Sequence, residues 1–138
     1  MTGVLDQTGI MNLQQSTQYY SSSADAYFYP CLLGNCSLAS DQIKEALNAL
    51  SHANVTVKTL WLDITFPIWT DIPSDNQQLI RYLVVQAQLM NVKVGIFTNK
   101  TNWAKIVGVN WDGASHLPLW ETDWNGRQVR NHRVVTLD

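Results

Sequence analysis

Charge is scarce in this sequence: Asp, Glu, Lys and Arg make up only 14% of it. The net charge is −2 and the pI near 5.8, so no broad electropositive field exists to hold a phosphate backbone, and no nucleic-acid partner is expected. Arg127, Arg130 and Arg133 do cluster in RQVRNHRVV, but three charges in a polar terminus read as a solvated end. Long apolar runs are also missing. None approaches the roughly 18 to 20 residues that span a bilayer, and MTGVLDQTGI has neither the basic nor the apolar region of a signal peptide, so no membrane partner is expected. The three histidines, His52, His116 and His132, are scattered without ligand spacing, which argues against a metal or a catalytic triad. No repeat, low-complexity tract or linker interrupts the chain.

Cysteine is limited to Cys31 and Cys36, in PCLLGNCS. A small disulfide loop can close that spacing around the Gly-Asn turn, whereas structural zinc would want four ligands. Sequons at Asn35, Asn54 and Asn99 point weakly toward secretion, against the missing leader.

What the chain does have is apolar bulk. At 138 residues and 46% hydrophobic it can bury one sizeable core, and one domain is expected over 1–138. Strand and helix patterns alternate along it. AYFYP (Ala26 to Pro30) reads as a short aromatic strand, and Ile43, Leu47 and Leu50 follow at helical spacing behind Ser40 and Asp41. VTVKTLWLDIT (Val55 to Thr65) is a second strand. Ser74 and Gln77 have the spacing of a capping box, ahead of an apolar face at Leu79, Leu83, Ala87 and Met90. VKVGIFT (Val92 to Thr98) is a third strand; Thr101 suits the cap of the short helix NWAKIVG, Gly108 its stop, and HLPLW (His116 to Trp120) a fourth strand. A further helix is expected over DQTGIMNLQQSTQYY. This alternation predicts an α/β fold with right-handed crossovers and a parallel sheet. Four strands cannot close a standard eight-stranded barrel, so the sheet is either open or a partial, irregular (β/α) barrel of TIM-barrel type.

Within LWLDIT, side chains alternate, so Trp61, Asp63 and Thr65 share one face and Leu60, Leu62 and Ile64 the other. The apolar face must lie against helices. Asp63 then sits on the inward face near the C-terminal end of its strand, the edge where parallel α/β sheets place their sites. A carboxylate there either lines a pocket or caps the following loop, because an unpaired buried charge is costly.

The order D-A-Y-F-Y-P-C with a second cysteine soon after, V-K-T-L-W-L-D-I, a loop tryptophan, D-N-Q-Q, V-G-I-F-T-N-K-T-N-W-x-x-I-V-G and L-P-L-W resembles the invertebrate lysozymes of glycoside hydrolase family 25, over about Asp6 to Gly126. The resemblance implies a modified (β/α) barrel, secretion, no cofactor, and bacterial peptidoglycan or a related glycan as partner, cut at the muramic-acid linkage. It implies that Asp63 matches the aspartate of the family's Asp-x-Glu and that Thr65 stands where the general-acid glutamate belongs. A threonine hydroxyl releases no proton near neutral pH, so it cannot protonate a glycosidic oxygen.

The family's first strand has no counterpart in this chain, and the strand carrying a further aspartate is missing too, since RQVRNHRVVTLD matches no family segment. Incompleteness at both ends is therefore expected. Glu121 replaces an aromatic residue after Trp120; it would substitute poorly as the acid and reads as a charge near an exposed terminus. Among the six tryptophans, Trp103 is assigned to packing, and Trp69 and Trp120 to the cleft, where flat rings stack on sugars. Tyr27 matches a family strand opening onto that cleft, and Asp25 reads as a turn residue.

The expected function is a lysozyme-like protein with reduced or lost muramidase activity. Its rival is a non-catalytic peptidoglycan-binding or regulatory protein of innate immunity. A third possibility is a fragment that does not fold alone.

Overall fold

A computed structural model describes residues 5–20, 23–32, 34, 36–121 and 136–137. Four helices alternate with the strands: α1 (Gln7–Tyr20), β1 (Ala24–Phe28), α2 (Ala39–His52), β2 (Val57–Asp63), α3 (Pro73–Leu89), β3 (Lys93–Thr98), α4 (Lys100–Ile106), β4 (Leu119–Glu121) and β5 (Thr136–Leu137). All strand pairs are parallel, in the order β4-β3-β2-β1-β5. The fold is α/β with one open sheet, consistent with a partial TIM-like barrel. β5 lies outside the strands expected from the sequence: Thr136 and Leu137 pair with Tyr27 and Phe28, inside the tail that matches no family segment.

The covered face of the sheet forms as alternation requires. Leu60, Leu62 and Ile64 are buried in one cluster with Ile43, Leu47 and Leu50 of α2 and Ile80, Leu83 and Val84 of α3. Ile10 and Leu13 bring α1 into the same cluster. Tyr27, Trp61, Phe97 and Trp120 are not members of it, and their rings form a separate layer on the opposite face.

Several local expectations differ. α3 buries Asn76, Ile80, Leu83, Val84 and Ala87, a face centred one position from that of Leu79 and Met90, which are only partly buried. Its start is not a capping box. Ile72 is the N-cap with Pro73 behind it, a residue suited to the first turn because it lacks an N–H that would go unpaired. Gln77 instead reaches across to donate to the Val107 carbonyl at 2.8 Å. In α4 the cap is Asn99, whose side chain accepts from the Asn102 N–H at 2.8 Å, so Thr101 lies inside the helix. The fourth strand starts at Leu119, because the Ser115 and Leu117 N–H groups are spent on turn bonds to Asp112 and Ala114.

The helix ends behave simply. Asn54 and Asn91 follow α2 and α3 with φ of 58° and 60°, and Val55 and Val92 close the turns by donating to Leu50 and Ala87. Gly108 after α4 has φ 87°.

Candidate functional site

Asp63 is the last residue of β2 and only 7% exposed. Three bonds or pairings hold it there: it lies in register with Phe97 of β3, the next residue's N–H donates to the Phe97 carbonyl at 2.9 Å, and Thr98 Oγ donates to the Ile64 carbonyl at 2.7 Å. The strand end is thus stitched to β3 one residue beyond its formal limit, which fixes the direction of both Asp63 and Thr65.

Burial pushes the Asp63 carboxyl above the ordinary carboxylate range. Hydrogen bonds from the Thr65 and Tyr27 hydroxyls, both donated to the carboxylate, pull it partly back. Oδ1 is buried and has no hydrogen-bond partner. Tyr29 also faces Asp63; burial first, and the Asp63 charge second, raise its phenol.

Around this carboxylate the rings meet edge to face. Tyr27 contacts Phe97 with centroids 4.9 Å apart, Phe97 contacts Trp120 at 5.1 Å, and Trp120 contacts Trp61 at 5.6 Å, with interplanar angles of 72°, 81° and 78°. Such geometry sets the positive edge of one ring against the negative face of the next. Trp61 has room only because its register partner is Gly95, where any Cβ would fall on the indole ring. At its polar edge, Trp61 Nε1 donates to Asp25 Oδ2 at 3.1 Å.

The sites expected from sequence are distributed unevenly. Asp63, Thr65, Tyr27 and Trp120 come together on one face. Trp69 does not join them: it is 4% exposed and packed in the main cluster, beneath a loop that Asn76 ties down. Glu121 shares a face with Leu119 and Thr98, away from Trp120 and Asp63, and lines a separate cavity of about 390 Å³ with Ile96, Trp103 and Trp111. No element turns it toward Asp63. Asp25 is a strand residue, not a turn residue, since β1 begins two positions earlier than its aromatic run. Cys31 and Cys36 form a disulfide, with Cα atoms 5.9 Å apart. Gln42 anchors that loop to α2, accepting from the Cys31 N–H and donating to the Cys31 and Ser37 carbonyls.

Sequence reasoning passed over Asp25, Gly95 and Phe97 as members of this layer, whereas Trp61 falls on the face that alternation assigns to Asp63. The signal was present in the alternation of Asp25 with Tyr27 and of Gly95 with Phe97. Among the described residues no helix is long and apolar enough to cross a membrane, and no group of three or more His, Cys, Asp or Glu is gathered as a metal would need.

A carboxylate at a strand's C-terminal end, walled by aromatic rings, suits a carbohydrate. The family model of lysozyme-like protein 1 matches residues 1–137. The chain belongs to the lysozyme-like protein family. Lysozyme-like protein 5 of Caenorhabditis elegans is 34% identical over 125 residues, which cover 91% of this chain and 58% of that protein. The probable GH family 25 lysozyme 5 of Dictyostelium discoideum is 27% identical over 132 residues, or 94% of this chain and 60% of that protein. Counting factor 45-1 of the same organism is 30% identical over 118 residues, 82% of this chain and 38% of that protein. The chain is a divergent member of this lysozyme-like family, similar to a protein named as a probable GH family 25 lysozyme, and it spans about three fifths of the length of the first two relatives. No solved structure matches it.

Proposed function

We propose that this lysozyme-like protein binds peptidoglycan, or a related N-acetylated glycan, on the aromatic face around Asp63, and that its muramidase turnover is reduced or lost. The observation that carries this reading is the state of position 65. Thr65 stands two residues after Asp63 on the same face of the chain, in the place of the family's acid, and its hydroxyl holds no proton transferable near neutral pH. Loss of a positioned proton donor lowers a rate by about 10² to 10⁴. Asp63, at the C-terminal end of β2 beside the aromatic layer, is the group left to orient or stabilise the acetamido group of a bound sugar. Tyr27 and Trp120 supply ring faces and edges beside it, and the buried Trp69 supports the loop that follows.

Secretion is part of the same reading, supported by the Cys31–Cys36 disulfide, which persists in oxidising compartments. A non-catalytic role in innate immunity is the second reading, and the same lack of an acid at position 65 favours it. Calorimetric titration with a soluble peptidoglycan tetrasaccharide tests both. Saturable binding weakened by Trp120→Ala, with the sugar recovered uncut, is expected; no binding contradicts the glycan reading.

A further inference from the structure

Asp25 and Trp61 occupy the N-terminal side of the aromatic face, away from the strand ends. The indole N–H of Trp61 donates to Asp25 Oδ2 at 3.1 Å, while Asp25 Oδ1 is buried with no hydrogen-bond partner. A half-buried carboxylate with one oxygen bare is expensive to keep and would be expected on a solvated edge. The backbone is adapted to the pair. Register slips by one residue between Ala24 and Asp25, so that Ala24 pairs with Val57 but Asp25 with Thr59, leaving Lys58 as an extra residue in β2. Bulges of this kind re-aim side chains. From Thr59 onward the strands run in even register, which places Asp25 one step from Trp61 on the same face.

Trp61 is in turn confined on three sides. Gly95 lies directly beneath its ring, the Trp120 ring meets it at 78° and 5.6 Å, and Asp25 takes its only polar atom. Free of the last contact, the indole can still turn about its side-chain torsions over the flat glycine floor, because a glycine presents no side chain to hold it. The ring that would move with it is Trp120, and through Trp120 the Phe97 and Tyr27 rings that flank Asp63.

We propose that Asp25 is a positioning residue for glycan recognition: by accepting the Trp61 N–H it fixes the indole over Gly95 and so sets the Trp120 ring against which a sugar packs. The proposal rests on the glycan-binding reading above and adds a residue that touches neither the sugar nor Asp63. Asn offers a carbonyl oxygen of the same reach, so Asp25→Asn keeps the bond; Asp25→Ala removes it.

The test uses the whole chain, a soluble peptidoglycan tetrasaccharide as probe, calorimetry for affinity and the indole N–H region of the ¹H–¹⁵N NMR spectrum for ring position. Asp25→Ala is expected to weaken binding about fivefold, the size of a typical coupling between contacting residues, and Asp25→Asn to restore it. In a Trp61→Phe background Asp25→Ala should change affinity less than about twofold, since the bond is already gone. The Trp61 resonance, identified by its loss in Trp61→Phe, should move in Asp25→Ala and the Trp120 resonance with it. Should Asp25→Ala fail to fold, Trp61→Phe deletes the same bond from the other side and must itself weaken binding. Binding by the wild type that Asp25→Ala leaves unchanged, additive losses in the double variant, or a Trp120 resonance that stays in place overturns the proposal alone. A wild type that binds no tetrasaccharide overturns the glycan reading and this proposal together.

Discussion

Thr65 follows Asp63 by two residues on the same face of the chain, and its hydroxyl favours the ionised form of that carboxylate against the opposing effect of burial. The two positions that would form an acid and carboxylate pair in a family 25 lysozyme are an alcohol and a carboxylate here. An alcohol at position 65 supplies no proton for a glycosidic oxygen.

Asp63 makes the fold sensitive to pH in a direction that can be worked out. Its folded pKa is raised by burial above the ordinary 3.8. Between those two values the folded state binds more protons than the unfolded state, so stability falls as pH rises through that window and is level above it. Asp63→Asn keeps an acceptor for Tyr27 and Thr65 but cannot ionise. The melting temperature of the variant minus that of wild type should therefore increase from pH 3 to pH 7. A difference that stays constant, or declines, contradicts the burial argument.

Gly95 is needed for space and not for backbone freedom. A methyl group there meets the Trp61 ring, which is held by Asp25 and Trp120. Gly95→Ala should cost about 1 to 3 kcal/mol by overpacking and reduce the near-ultraviolet circular dichroism of the ring layer. Chemical denaturation of both proteins measures the first quantity; unchanged stability would mean that the indole is free to slide away.

Asn76 is 1% exposed and carries the loop between Asp63 and α3. It donates to the Thr70 and Ile106 carbonyls at 2.8 Å each, and accepts from the Thr70 hydroxyl and N–H. Asn76→Ala strands these buried groups and should destabilise the chain by about 2 to 4 kcal/mol, as several unsatisfied polar groups together do. Urea denaturation checks it. A loss below about 0.5 kcal/mol, typical of surface changes, would show that the loop is held by other means.

The same residues explain which features were legible in the sequence. The period-two pattern of Leu60, Leu62 and Ile64 against Trp61, Asp63 and Thr65 assigns the faces of β2 without ambiguity, because only one of the two sets can tolerate helices. The alternation of strands and helices gives the parallel sheet for the same reason. Asn76 and Gln77 were hidden because their partners, Ile106 and Val107, lie thirty residues on and across a helix boundary; local capping rules cannot see such bonds. Trp69 was misleading in a different way. A tryptophan in a Pro-containing loop suggests a cleft wall, but the loop folds under Asn76 and delivers the ring to the core. Asp25 was obscured by the aromatic run after it, which drew the strand start two residues late. β5 carries no pattern longer than two residues, so only its pairing with β1 reveals it.

The measurement that bears most directly on the account is release of reducing ends from purified bacterial peptidoglycan by wild type, Thr65→Glu and Asp63→Asn proteins across pH 4 to 7. Wild type is predicted to stay at or near background and Thr65→Glu to exceed it by about 10² or more, since a glutamate there restores a proton donor. Rapid turnover by the wild type, abolished in Asp63→Asn, would contradict the account.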